Sequence, residues 1–207
     1  MNFGKYIANQ LRKPSGFFGR HVTVNMLNRV NIPINSLAIE VLQLTSDDQV
    51  LEVGFGGGEL IARMVDIVIR GKITGADFSR DVVAVCTKRF NSLIKDGRIQ
   101  LHCANVNELP FDAEAFTKVC TVNTIYFWSD PIVALTQIHR VLKKEGMLVV
   151  CFSPRIVMEK RWAIQHGFTL YDPEEVSTLL TKIGFREVQL IIGKHRFGEC
   201  IAAKGKK

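Results

Sequence analysis

Between Val50 and Gly58 the chain reads Val-Leu-Glu-Val-Gly-Phe-Gly-Gly-Gly, and this stretch restricts the fold more than any other. A short apolar run carries one acid, Glu52, just before its first glycine. Glycines then stand at 54, 56, 57 and 58, and Leu60, Ile61, Met64, Val65 and Val68 follow at helical spacing. Strand, glycine turn and helix in that order open a βαβ unit. Glycines let a backbone take positive φ and let a ligand approach with no Cβ in its way. The start of the following helix offers unpaired N–H groups at the same place.

Spacing narrows the ligand. A dinucleotide fingerprint, counted from Gly54, needs its third glycine at 59, where this chain has Glu59. No Gly-Lys-Ser/Thr follows, which excludes a phosphate-binding P-loop. The pattern present is Glu-x-Gly-x-Gly-x-Gly over Glu52, Gly54, Gly56 and Gly58.

The remaining chain alternates strand and helix signals. Lys72–Ala76 reads as a second strand ending at Asp77, and Ser79 is placed to cap a helix running to about Ile94. Arg98–Cys103, Ala115–Val122 and the apolar run Met147–Phe152 read as further strands, with Glu187–Ile192 and Glu199–Ala203 as a final pair. Helices are expected from Asp130-Pro131 to a stop at Lys144-Glu145-Gly146, and from Pro173 to Ile183, closed by Gly184. Repeated βα alternation implies a doubly wound, mostly parallel α/β sheet of seven strands. Residues 1–44 show helical spacing and no strand signal (Phe18, Val22, Met26 and Val30 share a face), so they are expected to form a helical cap on a domain spanning 45–207.

At 207 residues with 47% hydrophobic content, the chain has material for a packed core and is not a disordered sequence. No apolar run is long enough to span a bilayer, and the N-terminus lacks a secretion-signal core, so a cytoplasmic location is expected. Five scattered cysteines contain no Cys-x-x-Cys pair; buried free thiols and no metal site are expected. The net charge of +7 sits partly near the two ends, with Lys204, Lys206 and Lys207 read as a frayed tail. Without an aromatic-interleaved basic stripe, this charge reads as solvated surface rather than a nucleic-acid footprint.

Asp77 lies about twenty residues past the glycine turn, at the end of the second strand, where nucleoside-binding α/β folds place an acid for the ribose hydroxyls. The alternative is that Asp77 caps the helix that begins near Ser79. Phe78 beside it can pack on an adenine face or on the sheet. Asn105-Val-Asn-Glu-Leu-Pro-Phe111 follows the third strand, Asn123-Thr-Ile-Tyr-Phe-Trp128 ends the fourth, and Arg140-Val-Leu-Lys-Lys-Glu-Gly146 closes the next helix region. Together these segments resemble the class I S-adenosylmethionine-dependent methyltransferases of the small-molecule type, including the quinone C-methyltransferases, over residues 48 to 203. The resemblance implies S-adenosylmethionine as cofactor, with contacts from Glu52, Gly54, Phe55, Gly56, Gly58, Asp77, Phe78, Asn105, Val106 and Asn123. Asn105 departs from the family's aspartate; its side-chain oxygen still accepts a hydrogen bond from the adenine amino group, without the charge.

Tyr126, Phe127 and Trp128 follow the strand that borders the expected ligand crevice, and Tyr126 is the candidate for lining an acceptor pocket. His21 and His166 fall in segments able to cover that pocket and are, with Tyr126, candidate catalytic residues. No Asp/Asn-Pro-Pro-Tyr motif follows the fourth strand, which argues against amino-group methylation of adenine or glutamine. A small-molecule or lipid-like acceptor is expected. The rivals are an NAD(P)-dependent oxidoreductase or epimerase, disfavoured by Glu59 and by the missing Tyr-x-x-x-Lys pair, and a catalytically silent cofactor-binding module. The oligomeric state and the acceptor atom are not readable from the sequence.

Overall fold

Alternation of buried parallel strands with amphipathic helices organises the molecule, and the computed structural model describes residues 31–160, 168–195 and 198–207. Helix α1 (Ile32–Leu42) comes first, followed by β1 (Gln49–Val53), α2 (Glu59–Val65), β2 (Lys72–Asp77), α3 (Arg80–Arg89), α4 (Asn91–Lys95), β3 (Ile99–Cys103) and β4 (Phe116–Val122). A 3-10 turn (Ile125–Phe127) leads to α5 (Pro131–Val141), β5 (Leu142–Phe152), α6 (Arg155–Met158), α7 (Pro173–Ile183), β6 (Arg186–His195) and β7 (Gly198–Lys206). The strands form one seven-stranded sheet in the order β3-β2-β1-β4-β5-β7-β6. All neighbours are parallel except at β7, which runs antiparallel to both β5 and β6.

Central strands are apolar on both faces because helices cover both faces. Val50, Leu51 and Val53 of β1 and Leu148, Val149 and Val150 of β5 are all buried. One core lies between the sheet and α5 and α7, built on Leu135, Ile138, Leu142, Phe152, Val176 and Leu180. The other lies under α1, α2 and α3, built on Leu37, Leu42, Leu60, Ile61, Met64 and Phe90. Helix α1 is thus the described part of the expected cap, and it lies on the sheet rather than apart from it. Asn31-Ile32-Pro33 is a helix start: Pro33 sits in the first turn, where its missing N–H costs nothing.

Several expectations shift. The helix expected from Ser79 to Ile94 is divided at Phe90 into α3 and α4. The helix after Pro131 stops at Val141, and Lys144-Glu145-Gly146 belongs to β5, whose pairing starts at Leu142 opposite Phe116. The tail read as frayed is β7, held between β5 and β6; Lys206 pairs with Glu187, and Lys207 Nζ donates to the Leu142 carbonyl at 2.7 Å. Cys103 is exposed, whereas Cys86, Cys120, Cys151 and Cys200 are buried, and all five are free thiols. No described helix is long and apolar enough to cross a membrane, and no group of potential metal ligands occurs among the described residues.

The turn into β2 depends on Gly71. A Cβ there would stand 2.0 Å from the Asp48 carbonyl oxygen, a backbone atom with no rotamer to yield. Gly71→Ala is expected to cost about 3 kcal/mol through overpacking, which lowers the thermal midpoint by about 6–12 °C for a chain of this size. Thermal denaturation followed by circular dichroism checks this; an unchanged midpoint would mean that the turn relocates freely.

Candidate active site

The order of the sheet locates the crevice. From β1 the chain crosses to β2 on one side, while β4 lies on the other, so a gap opens beyond the carboxyl ends of β1 and β4. Four sequence features meet there: the acid of β1, the glycine turn after it, the acid ending β2 and the asparagine after β4.

The glycine turn divides into packing and open positions. Gly58 caps α2 at φ +72°, and a Cβ there would lie 2.6 Å from the Phe90 ring. Gly54 is pressed against Thr124, while the Phe55 side chain turns into the core beside Gly75, leaving its backbone to the turn. Gly56 differs: φ is +49°, yet nothing lies within 4 Å of where its Cβ would be. It is the place in the turn where backbone meets open space, as a closely approaching ligand requires.

Asp77 and Glu52 stand behind that opening. Asp77 Oδ2 accepts from the Gly56 N–H at 3.1 Å, and Oδ1 accepts from the Ser79 N–H at 2.9 Å. The cap of α3 is Ser79, whose hydroxyl accepts from Val82 N–H, so the helix-cap alternative for Asp77 does not hold. Burial raises the Asp77 pKa, opposed by those two backbone bonds. Glu52 is 3% exposed, and its Oε2 is buried with no hydrogen-bond partner. Burial first, then the charge of Asp77, pushes the Glu52 pKa up to about 8, against the Ile61 backbone N–H bonded to it. An open glycine backbone, a strand-end carboxylate and a buried acid with an unused acceptor oxygen fit a cationic nucleoside cofactor.

Three other residues are expected on the nucleoside side: Phe78, Asn105 and Val106. Phe78 is 39% exposed, a large ring left at the surface beside Asp77. Asn105 is exposed, with its Oδ1 accepting from the Asn107 N–H at 3.0 Å, and Val106 packs partly into the core.

The opposite half of the crevice is built by β4 and β5. Asn123 takes a left-handed conformation at φ +56°. Its amide donates to Asn31 Oδ1 at 3.0 Å, and its Oδ1 accepts from the Tyr126 hydroxyl at 3.2 Å. That hydroxyl is also tied to the Ser153 backbone carbonyl and N–H, and Tyr126 is 2% exposed. Tyr126 therefore clamps the ends of β4 and β5 from inside the core rather than lining an open pocket. The aromatic pair of this half is instead Phe127 and Phe168, ring centroids 4.7 Å apart and both half-buried against the core. Trp128 is buried. His21 and His166 lie outside the described residues. His102 and His139 each pack edge-on against a phenylalanine, Phe111 and Phe185, with pKa values lowered by burial. Sequence reasoning did not single out Thr124, against Gly54, or Cys86 and Arg89, on the glycine turn; these contacts join residues far apart in the chain.

A raised carboxyl pKa has a defined effect on stability. The folded state holds the Glu52 proton up to about pH 8, whereas the unfolded chain releases it near 4.5, so this group's contribution is full below 4.5 and is lost as pH rises through 8. Glu52→Gln keeps the neutral shape and removes the titration. Its midpoint is expected to fall less than that of the wild type between pH 5 and 9, which thermal scans across that range measure; parallel curves would show that Glu52 ionises normally.

Residues 51–150 match a family model described as a methyltransferase domain. An uncharacterized methyltransferase of Bacillus subtilis, YdaC, is 29% identical over 125 residues, covering 60% of this chain and 67% of that one. The ubiquinone/menaquinone biosynthesis C-methyltransferase UbiE of Desulfotalea psychrophila is 32% identical over 101 residues, covering 49% of this chain and 39% of that one. Among solved structures, a SAM-dependent methyltransferase from Aquifex aeolicus superposes with a TM-score of 0.73 at 19% identity, covering 89% of this chain and 96% of that one. PigF, solved with SAH, superposes with a TM-score of 0.76 at 13% identity, covering 98% of this chain and 62% of that one. The glycine turn, the sheet order and these likenesses agree: over residues 51–150 the chain is similar to a methyltransferase domain, and its fold is that of the S-adenosylmethionine-dependent methyltransferases.

Proposed function

We propose that this methyltransferase acts on a small or lipid-like, largely apolar acceptor, held against the β4–β5 half of the crevice. The observation that carries this reading is the Phe127–Phe168 pair beside the clamped ends of those strands, an apolar surface opposite the acidic, glycine-lined half. The quinone C-methyltransferases among its relatives, of which this chain spans about half the length or less, support the same class.

On the cofactor side, Asp77 accepts hydrogen bonds from the ribose diol, Asn105 and the Val106 backbone meet adenine, and Phe78 covers its face. Glu52 supplies negative charge once it ionises, and the backbone at Gly54, Phe55, Gly56 and Gly58 gives close approach. The bound cofactor brings a methyl group already activated on a sulfonium. What the chain adds is alignment and exclusion of water, which together can account for about 7–11 kcal/mol of acceleration. Tyr126 and Asn123 act here as positioning groups, with Tyr126 holding β4 to β5 and Asn123 holding Asn31. Because Asn31, the residue that precedes α1, is tied to Asn123 at this rim, we assign the segment up to residue 44 to covering the acceptor side. His21 and His166 remain the candidate bases if the acceptor carries a proton that must leave.

Calorimetric titration tests the cofactor assignment: S-adenosylhomocysteine is expected to bind and NAD not, and the reverse would overturn it. Asp77→Ala is expected to weaken S-adenosylhomocysteine by about 1.5–3 kcal/mol, a ten- to hundredfold change in Kd. An unchanged Kd in a folded variant would remove the ribose role. Deleting residues 1–30 is expected to leave cofactor binding and abolish transfer; a truncated protein that transfers methyl normally would refute the covering role.

A further inference from the structure

Three consecutive glycines of the cofactor turn are each met by a different side chain from α3 or from Phe90, the residue that ends it. The Cys86 thiol donates to the Gly56 carbonyl at 3.3 Å. Arg89 donates to the Gly57 carbonyl at 2.5 Å. The Phe90 ring, at the end of α3, stands where a Gly58 side chain would have to go. With Asp77 accepting from the Gly56 N–H, Gly56 is held through both its N–H and its carbonyl.

Arg89 has a second hold. Its other terminal nitrogen pairs with Glu59 at 3.3 Å, and the second oxygen of Glu59 pairs with Arg63 at 3.5 Å. Arg63 in turn donates to the Ser36 hydroxyl on α1 at 3.0 Å. A continuous polar line therefore runs from α1 through the first turn of α2 to α3 and ends on the carbonyl of Gly57. Glu59, the residue that breaks a dinucleotide spacing, is its central member.

We infer that Arg89, Cys86 and Glu59 are positioning residues that set the conformation of the glycine turn and thereby its affinity for cofactor. The inference rests on the reading of this turn as the cofactor site. A turn of consecutive glycines has a large conformational freedom to lose on binding. Side chains that tie its carbonyls in advance remove part of that loss, and a guanidinium is suited to the task because it holds a carbonyl and a carboxylate at once in a fixed fork. Cys86 suits a permanent contact: burial foremost pushes its thiol pKa up to about 12, opposed by Arg89 and reinforced by Glu52 and Asp77, so the thiol keeps its proton for the Gly56 carbonyl.

The test compares Arg89→Ala, Arg89→Lys and Glu59→Gln in the full chain by hydrogen exchange of the Gly56–Gly58 amides without cofactor, and by calorimetric titration with S-adenosylhomocysteine. Arg89→Ala is expected to exchange faster in the turn and to bind about tenfold more weakly, the size of one lost charge-assisted bond. The KM for S-adenosylmethionine should rise while kcat at saturation stays unchanged, the signature of lost binding common to ground and transition states. Arg89→Lys is expected to restore part of the affinity, and Glu59→Gln to lose a smaller part. If Arg89→Ala does not fold, Glu59→Gln carries the same test. Unchanged exchange and Kd in a folded Arg89→Ala or Glu59→Gln would overturn the inference, as would an Arg89→Lys that binds no better than Arg89→Ala. Failure of the wild type itself to bind S-adenosylhomocysteine would instead sink the cofactor reading, while exchange in the variants would still report on the turn.

Discussion

The site depends on one carboxylate, that of Asp77, which joins two elements the backbone leaves separate. Its two oxygens accept from Gly56 in the turn after β1 and from Ser79 at the start of α3. The turn after β1 is thereby registered against the end of β2, beyond what the ladder of Val50–Val53 with Ile73–Ala76 achieves. Both acceptors are used on backbone donors, yet each oxygen keeps lone-pair capacity for a ligand hydroxyl. On the proposed reading, the same contact that holds the turn also presents an acid to the cofactor ribose.

Placing Asp77 so deep raises the cost of Glu52. Two acids are buried close together among apolar strands, and one of them keeps an unpartnered oxygen. A charged acid in that position would be costly, so the protein holds it as the neutral acid near pH 7. A cationic ligand reverses the sign of that penalty, because opposite charge nearby favours the ionised form. A polar group poorly satisfied by its own fold and well satisfied by a specific ligand is what a binding site looks like energetically.

The two halves of the crevice follow different rules. The β1–β3 half is held by backbone contacts, carboxylates and the side chains of α3. The β4–β5 half is held by Tyr126, whose hydroxyl bridges Ser153 and Asn123, and it presents phenyl rings instead of charge. Antiparallel β7, inserted between β5 and β6, lengthens the sheet on the second side and sets Ile201 opposite Phe152 at the carboxyl end of β5. Chemistry that needs a fixed cofactor and a variable acceptor is served by one half built on backbone and another built on side chains.

Local pattern alone determined much of this protein. The Glu52–Gly58 run, the alternation of apolar segments and the acid at Asp77 specify a βαβ sheet with a nucleoside turn, because strand, turn and helix periodicities are local properties of the backbone. Caps at Ser79, Asp130 and Gly184 were readable for the same reason. Tertiary structure alone decided the rest. Tyr126 reads as a pocket residue by its place after β4, but Ser153, contributed by the end of β5, captures its hydroxyl. Lys204–Lys207 read as a charged tail, but pairing with β5 and β6 makes most of it a strand. Cys86, Arg89 and Glu59 carry no motif at all; their part arises only where α3 lies across the glycine turn. Such contacts join residues about thirty positions apart, and a sequence read along one dimension does not encode which of its distant side chains will meet.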